Sequence, residues 1–122
     1  MTPSDPSPDG TGFSLGRRGG WPVVTVTGEV DFSNADVLGD RLAEATRWHT
    51  PPHLAVDLSE LEFCDSSGLR RLVIAWKRIK DLGGRMVLLN PAPRMAGLLH
   101  ITGLDTQLEI LDALPDRPPP SP

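Results

Sequence analysis

Leu61-Glu62-Phe63-Cys64-Asp65-Ser66-Ser67-Gly68-Leu69-Arg70-Arg71 separates two stretches with different apolar periods. Before it, His53-Leu54-Ala55-Val56-Asp57-Leu58 is a mostly apolar run of strand length. After it, Leu69, Leu72, Val73, Trp76 and Ile79 fall at the i, i+3, i+4, i+7 spacing of a core-facing helix. The change of period puts a strand-to-helix junction at Asp65-Ser66-Ser67-Gly68, with both hydroxyls at or beside a helix N-terminus. The first N–H groups of a helix lack internal partners, and the dipole makes that end mildly positive. Asp65 or either serine is therefore suited to cap it. Arg70 and Arg71 fall in or near the first turn, where cations oppose the dipole. Each follows a serine by four positions, so Ser66/Arg70 and Ser67/Arg71 are potential neighbours on the helix surface. A phosphate on Ser66 would find N–H groups and a guanidinium within reach. A plain cap and a phosphorylation switch both fit these residues.

Working outward toward the N-terminus, Phe13 to Arg17 reads as a short edge strand and Gly19-Gly20 as a turn. Trp21 to Thr27 alternates apolar and polar residues, as a half-buried strand does, and ends at Gly28-Glu29-Val30-Asp31. Ser33 and Asp36 resemble a capping box, and Ala35, Leu38, Leu42 and Ala45 mark a helical face running to about Trp48. Gly39 within that helix costs about 1 kcal/mol relative to Ala. Thr50-Pro51-Pro52 stops it.

Toward the C-terminus, the helix after the junction runs to about Leu82. Lys77, Arg78 and Lys80 suit its negative end, and Gly83-Gly84 closes it. Arg85 to Leu89 is a strand apolar enough to be buried on both faces. A turn at Asn90-Pro91-Ala92-Pro93 leads into a helix through Met95, Leu98 and Leu99. That helix closes at Gly103, with Leu104 just past it, in Schellman fashion. Leu108 to Leu111 forms a last strand. The order β, β, α, β, α, β, α, β predicts an α/β fold. Its mixed sheet has an N-terminal antiparallel hairpin, then parallel crossovers, with about three helices packed over it and His53 to Leu58 at its centre.

The 122 residues suffice for one modest domain. Most of the thirteen prolines cluster toward the ends. Residues 1–11 and 115–122 are expected to be disordered tails around a domain spanning 12–114. A net charge of −4 without a large basic block argues against nucleic acid as the main partner. No long apolar stretch or signal-peptide pattern is present, so a cytoplasmic location without membrane insertion is expected. One cysteine rules out an internal disulfide framework. The histidines, His49, His53 and His100, show no metal-ligand spacing and read as surface or boundary residues. No cofactor is expected.

Val56-Asp57-Leu58 followed by Leu61-Glu62-Phe63-Cys64-Asp65-Ser66-Ser67-Gly68-Leu69 resembles the signature of the STAS domain family. More narrowly it resembles the single-domain anti-sigma factor antagonists (anti-anti-sigma factors) of bacterial sporulation and stress regulation, over roughly Phe13 to Leu111. The resemblance implies a STAS-like mixed sheet. It also implies that Ser66, the first hydroxyl after the aspartate in Asp-Ser-Ser/Thr-Gly-Leu, is a phospho-acceptor. Gly28-Glu29-Val30-Asp31 is similar to the family's Gly-Glu-Leu-Asp, whose aspartate lies close to that acceptor. By the same resemblance, the domain with Ser66 unmodified binds an anti-sigma factor kinase of the histidine-kinase-like ATPase fold and releases its sigma factor. The kinase phosphorylates Ser66 with its own ATP and magnesium, and a separate serine phosphatase resets it. The domain is then a substrate and ligand, not an enzyme. The implied contact surface comprises Asp31, Ser33 and Asn34 on one loop, then Asp65, Ser66, Ser67, Gly68, Leu69 and Arg70. Arg70 and Arg71 stand where many members carry small or apolar residues, which fits either partner choice or solvated surface.

Two other functions remain in view. Cys64, five residues, then Arg70 satisfies the Cys-x5-Arg spacing of tyrosine-phosphatase-like loops, in which a thiolate attacks and the arginine clamps phosphate. Asp65 beside such a cradle and a single glycine in the loop count against it, leaving Cys64 as a small apolar residue at a strand end. Neither a Gly-x-Ser-x-Gly elbow nor a Walker-type loop occurs. A soluble STAS accessory subunit of a transport complex, such as a lipid-transport system, keeps the fold and changes the partner.

Overall fold

The computed structural model describes residues 12–115. The tails expected to be disordered lie outside the described residues, apart from Pro115. Five strands form one sheet in the order β1-β2-β3-β4-β5: Gly12–Arg18, Trp21–Val30, His53–Cys64, Arg85–Leu89 and Glu109–Leu111. β1 and β2 are an antiparallel hairpin, with Phe13 opposite Val26, and every other pairing is parallel. The helices are α1 (Ala35–Thr46), α2 (Ser66–Asp81) and α3 (Pro93–Ile101), with a short 3-10 turn at Leu104–Thr106. β3 is the central strand, as its apolar run predicts.

The core has two compartments, one on each face of the sheet. Val24, Val56, Leu58 and Leu88 meet Leu38 and Leu42 of α1, Leu72 and Ile79 of α2, and Leu99 of α3. Trp21, Val23, Ala55, Val87 and Leu89 form the second cluster. β4 alternates between the two clusters and is buried on both faces, as its sequence predicts. β2 departs from the half-buried strand expected. Trp21, Pro22, Val23 and Val24 are all buried, because an apolar cluster lies on each side of them. His53 is also no boundary residue. It is 6 % exposed, its Nε2 lies 3.3 Å from the Gly20 carbonyl, and its ring stands edge-on to Trp21 and stacks on His49.

In α2 the buried stripe is Leu69, Leu72, Ala75 and Ile79. Val73 and Trp76, which the periodicity places on the same stripe, are half-buried at its margin, and the Lys80 ammonium lies 4.9 Å from the Trp76 ring centre. The helix closes as expected. Gly83 N–H donates to Lys80 O and Gly84 N–H to Ile79 O, with Gly83 at a φ of +77°. A Cβ on Gly84 would stand 2.0 Å from the Pro52 carbonyl oxygen, so only glycine lets β4 start there.

Two strands outrun their sequence-based ends. β2 continues through Gly28 to Val30, and β3 continues from Leu58 to Cys64. Register shifts after Thr25 and after Gly28 keep them paired, with Gly28 at a φ of +84°. Because of these irregularities Val30 and Cys64 finish opposite each other. The next residue in each chain segment is an aspartate: Asp31 in one, Asp65 in the other.

Candidate functional site

The Asp65 N–H donates to Val30 O at 3.0 Å, fastening the start of α2 to the end of the neighbouring strand. Its carboxylate Oδ1 accepts from Ser67 N–H at 2.9 Å and Gly68 N–H at 3.4 Å, so Asp65 is the N-cap. Ser66 is consequently the first helical residue, exposed, and its hydroxyl has no hydrogen-bond partner among the described residues. Ser67 is half-buried. Gly68 sits where a Cβ would come within 2.4 Å of Cys64 Sγ and 2.7 Å of Val30 Cγ1. That close approach is what sets α2 directly on the two strand ends. Gly68 and Leu69, also expected on the contact surface, are buried in the first turn of α2. The cap also alters the expected reception of a phosphate. Asp65 already occupies the Ser67 and Gly68 N–H groups, so a phosphate on Ser66 would rely on Arg70, one turn along the helix.

Asp31 builds a different junction. Its Oδ1 accepts from both the N–H and the hydroxyl of Ser33, and its N–H donates to Asn34 Oδ1 at 2.9 Å. The Asn34 amide donates in turn to Glu29 O at 3.0 Å. The Ser33/Asp36 capping box is therefore not formed. Asn34 is the N-cap of α1 without a side-chain cap bond, since its amide is committed to the turn, and Asp36 pairs with Arg71. Phe32, at the tip of this turn, is 82 % exposed.

The two neighbouring arginines have different surroundings. Arg71 crosses to α1, where it pairs with Asp36 and passes over Gly39; a Cβ there would stand 3.1 Å from Arg71 Cδ. Arg70 makes no ion pair among the described residues. It lines a depression with Phe32, Ala35, Ser67 and Ile74. Asp31, Ser33 and Asn34 thus stand on one turn and Asp65, Ser66, Ser67 and Arg70 at the head of α2. The opposed strand ends, and the Asp65 N–H bond to Val30 O, bring the two groups together.

Comparison with known proteins gives this arrangement a family. A model described as the STAS domain matches residues 13–116. The chain belongs to the STAS domain family. An anti-sigma F factor antagonist from Paenibacillus polymyxa is 31 % identical over 90 residues, covering 74 % of this chain and 77 % of that one. The crystal structure of an anti-sigma factor antagonist from Mycobacterium paratuberculosis is 31 % identical with a TM-score of 0.71, covering 89 % of this chain and 92 % of the other. The fold is shared with the anti-sigma factor antagonist SpoIIAA in its unphosphorylated form, at 23 % identity and a TM-score of 0.64, over 84 % and 89 % of the two chains.

Within this STAS domain Cys64 is unsuited to act as a nucleophile. It is 2 % exposed, packed against Gly68 and Val30, and its thiol lies 3.4 Å from Asp65 O. Burial and then the Asp65 carboxylate push its pKa up to about 12, the reverse of an activated thiolate. With Asp65 alone between β3 and α2, no loop remains to wrap a phosphate between Cys64 and Arg70. Among the described residues no helix is long and apolar enough to cross a membrane.

Ile74, 48 % exposed, escaped the sequence reading, and Phe32 fell inside the Asp31–Asn34 loop expected to make contact without being singled out. Each carries a faint signal. Phe32 is a large aromatic among turn-forming residues, and Ile74 is an aliphatic off the buried stripe of its helix.

Proposed function

We propose that this STAS domain is an anti-sigma factor antagonist switched at Ser66. With Ser66 unmodified, it binds an anti-sigma factor kinase of the histidine-kinase-like ATPase fold and displaces the sigma factor. The contact is made by the Asp31–Asn34 turn with Phe32 at its tip, and by Ser66, Ser67 and Arg70. The bound kinase transfers a phosphoryl group from its ATP to the Ser66 hydroxyl, and a separate serine phosphatase removes it. The observation that carries this reading is the position of Ser66. Asp65 takes over capping, so the Ser66 hydroxyl is left exposed and unengaged at the head of a rigid helix. Phosphorylation would add a charge of about −1.5 to −2 there. Beside Asp31 and Asp65 it would raise negative potential on the contact surface and fill space the partner needs.

The test is affinity capture from the native cell extract with wild type and Ser66→Asp, identifying bound proteins by mass spectrometry. A histidine-kinase-like anti-sigma factor retained by wild type and lost by Ser66→Asp is the expected result. Equal retention by both, or recovery of transporter subunits in its place, defeats the reading.

A further inference from the structure

α1 and α2 lie side by side, and between them runs an open groove of about 380 Å³ whose walls include Leu42 and Ala75. It shares Arg71 and Ile74 with the depression beside Ser67 and Phe32, so it continues the surface described above. Arg70, Ile74 and Arg78 along α2, and Leu82 at its C-cap, succeed one another at four-residue intervals, basic and apolar by turns. Residues spaced in this way are neighbours along a helix. Ile74 and Leu82 are about half exposed, at 48 % and 54 %. Arg47 contributes to the groove from just past the end of α1.

Arg47, Arg70 and Arg78 have no ion-pair partner among the described residues, although the whole chain carries a net charge of −4. Cations without a direct ion pair therefore flank exposed aliphatic side chains. Asp36 neutralises Arg71, and Asp40 also lines the groove, so the surface is not a uniform cationic track for a polyanion. Its complement is a segment carrying carboxylates and apolar side chains in alternation.

We propose that this groove is a second contact for the anti-sigma factor and receives an amphipathic helix from it. In that helix, acidic and apolar residues alternate at four-residue intervals, meeting Arg70 and Arg78 with carboxylates and Ile74 and Leu82 with apolar side chains. The inference rests on the partner class proposed above and adds the chemical feature by which that partner is chosen. Phosphorylation at Ser66 acts at one end of the surface, while the groove adds partner selection along the rest of it.

The histidine-kinase-like anti-sigma factors of the same cell are purified one by one and titrated calorimetrically. The titrants are wild type, Ser66→Asp and the double variant Arg47→Glu/Arg78→Glu, whose folding is checked by circular dichroism. The factor that binds wild type and is weakened by Ser66→Asp is expected to lose at least about tenfold in affinity for the charge-reversed variant. Wild-type binding is also expected to fall more steeply with added salt than binding of that variant. If that factor binds the charge-reversed variant within about twofold of wild type, the groove proposal is overturned and the Ser66 function stands. If no such factor binds wild type, the function falls and takes the groove with it.

Discussion

β2 and β3 end level with each other, and each is followed by an aspartate and then a helix, yet the two junctions are built on opposite plans. Asp65 spends its carboxylate on the helix, accepting two first-turn N–H groups, so α2 begins at the very next residue. Asp31 spends its carboxylate on the turn, gathering Ser33, and the helix waits until Ala35. The first plan presents a small hydroxyl on a fixed helix end. The second presents a large exposed ring, Phe32, on a laced turn. One kind of residue after one kind of strand thus yields either an exposed hydroxyl on a helix end or an exposed ring on a turn, depending on which N–H groups it satisfies.

Gly68→Ala should separate the two junctions most sharply. Its Cβ would collide with Cys64 Sγ and Val30 Cγ1, and a loss of about 2–3 kcal/mol in urea-unfolding free energy is expected. Near-wild-type stability would mean that α2 is not held against the strand ends as described. Asp65→Ala should cost about 1 kcal/mol through loss of the cap, and Asp65→Asn should recover most of it. Asn34→Ala should cost about 0.5–1 kcal/mol by releasing Asp31 N–H and Glu29 O. Its mark should be faster hydrogen exchange in the 29–34 turn, without fraying of α1. Exchange spreading through α1 would erase the distinction between the plans.

A titration offers a finer contrast. The Cys64 thiol is raised from 9.0 to about 12 by burial and by Asp65, so the folded state resists forming the thiolate. Its contribution to stability is full below pH 9, where the unfolded chain is also protonated, and is lost as pH rises toward 12. Urea unfolding between pH 7 and pH 10.5 should therefore show a decline above about pH 9 that is absent in Cys64→Ala. The smallest effect belongs to Gly39→Ala. The helix-propensity gain of up to about 1 kcal/mol is opposed by displacement of the flexible Arg71 side chain, leaving a net change within about 0.5 kcal/mol.

The framework of the fold is legible in the sequence because its signals are periodic and local. The apolar run of β4, the Gly83-Gly84 stop and the central run of β3 all lie where their patterns place them. The continuation of β3 from Leu58 to Cys64 is not legible for a specific reason. Its buried residues are Leu58, Leu61 and Cys64, a spacing of three produced by the register shifts, which no alternation rule anticipates. At the candidate site, the motif places Ser66 at the head of α2 and Asp31 just past β2, where the structure has them, whereas the owner of each cap was not legible. The Ser33/Asp36 pattern fits a capping box in sequence, and only the turn bonds of Asp31 and Asn34 show why it does not form. Ile74 was missed, and Phe32 not singled out within its loop, because exposed apolar residues break periodicity and do not follow it.

The bond from Asp65 N–H to Val30 O has a bearing on how an enzyme would find Ser66. Many modified serines lie in pliant segments that thread into a kinase as extended peptides. Here the residues before Ser66 are a central strand and those after it a helix, locked together at Gly68. A catalyst acting on Ser66 must accept a whole folded surface, and a synthetic peptide spanning 60–72 should be a poor mimic of the intact domain. Recognition of Ser66 by such a catalyst would belong to shape, which a linear motif cannot carry by itself.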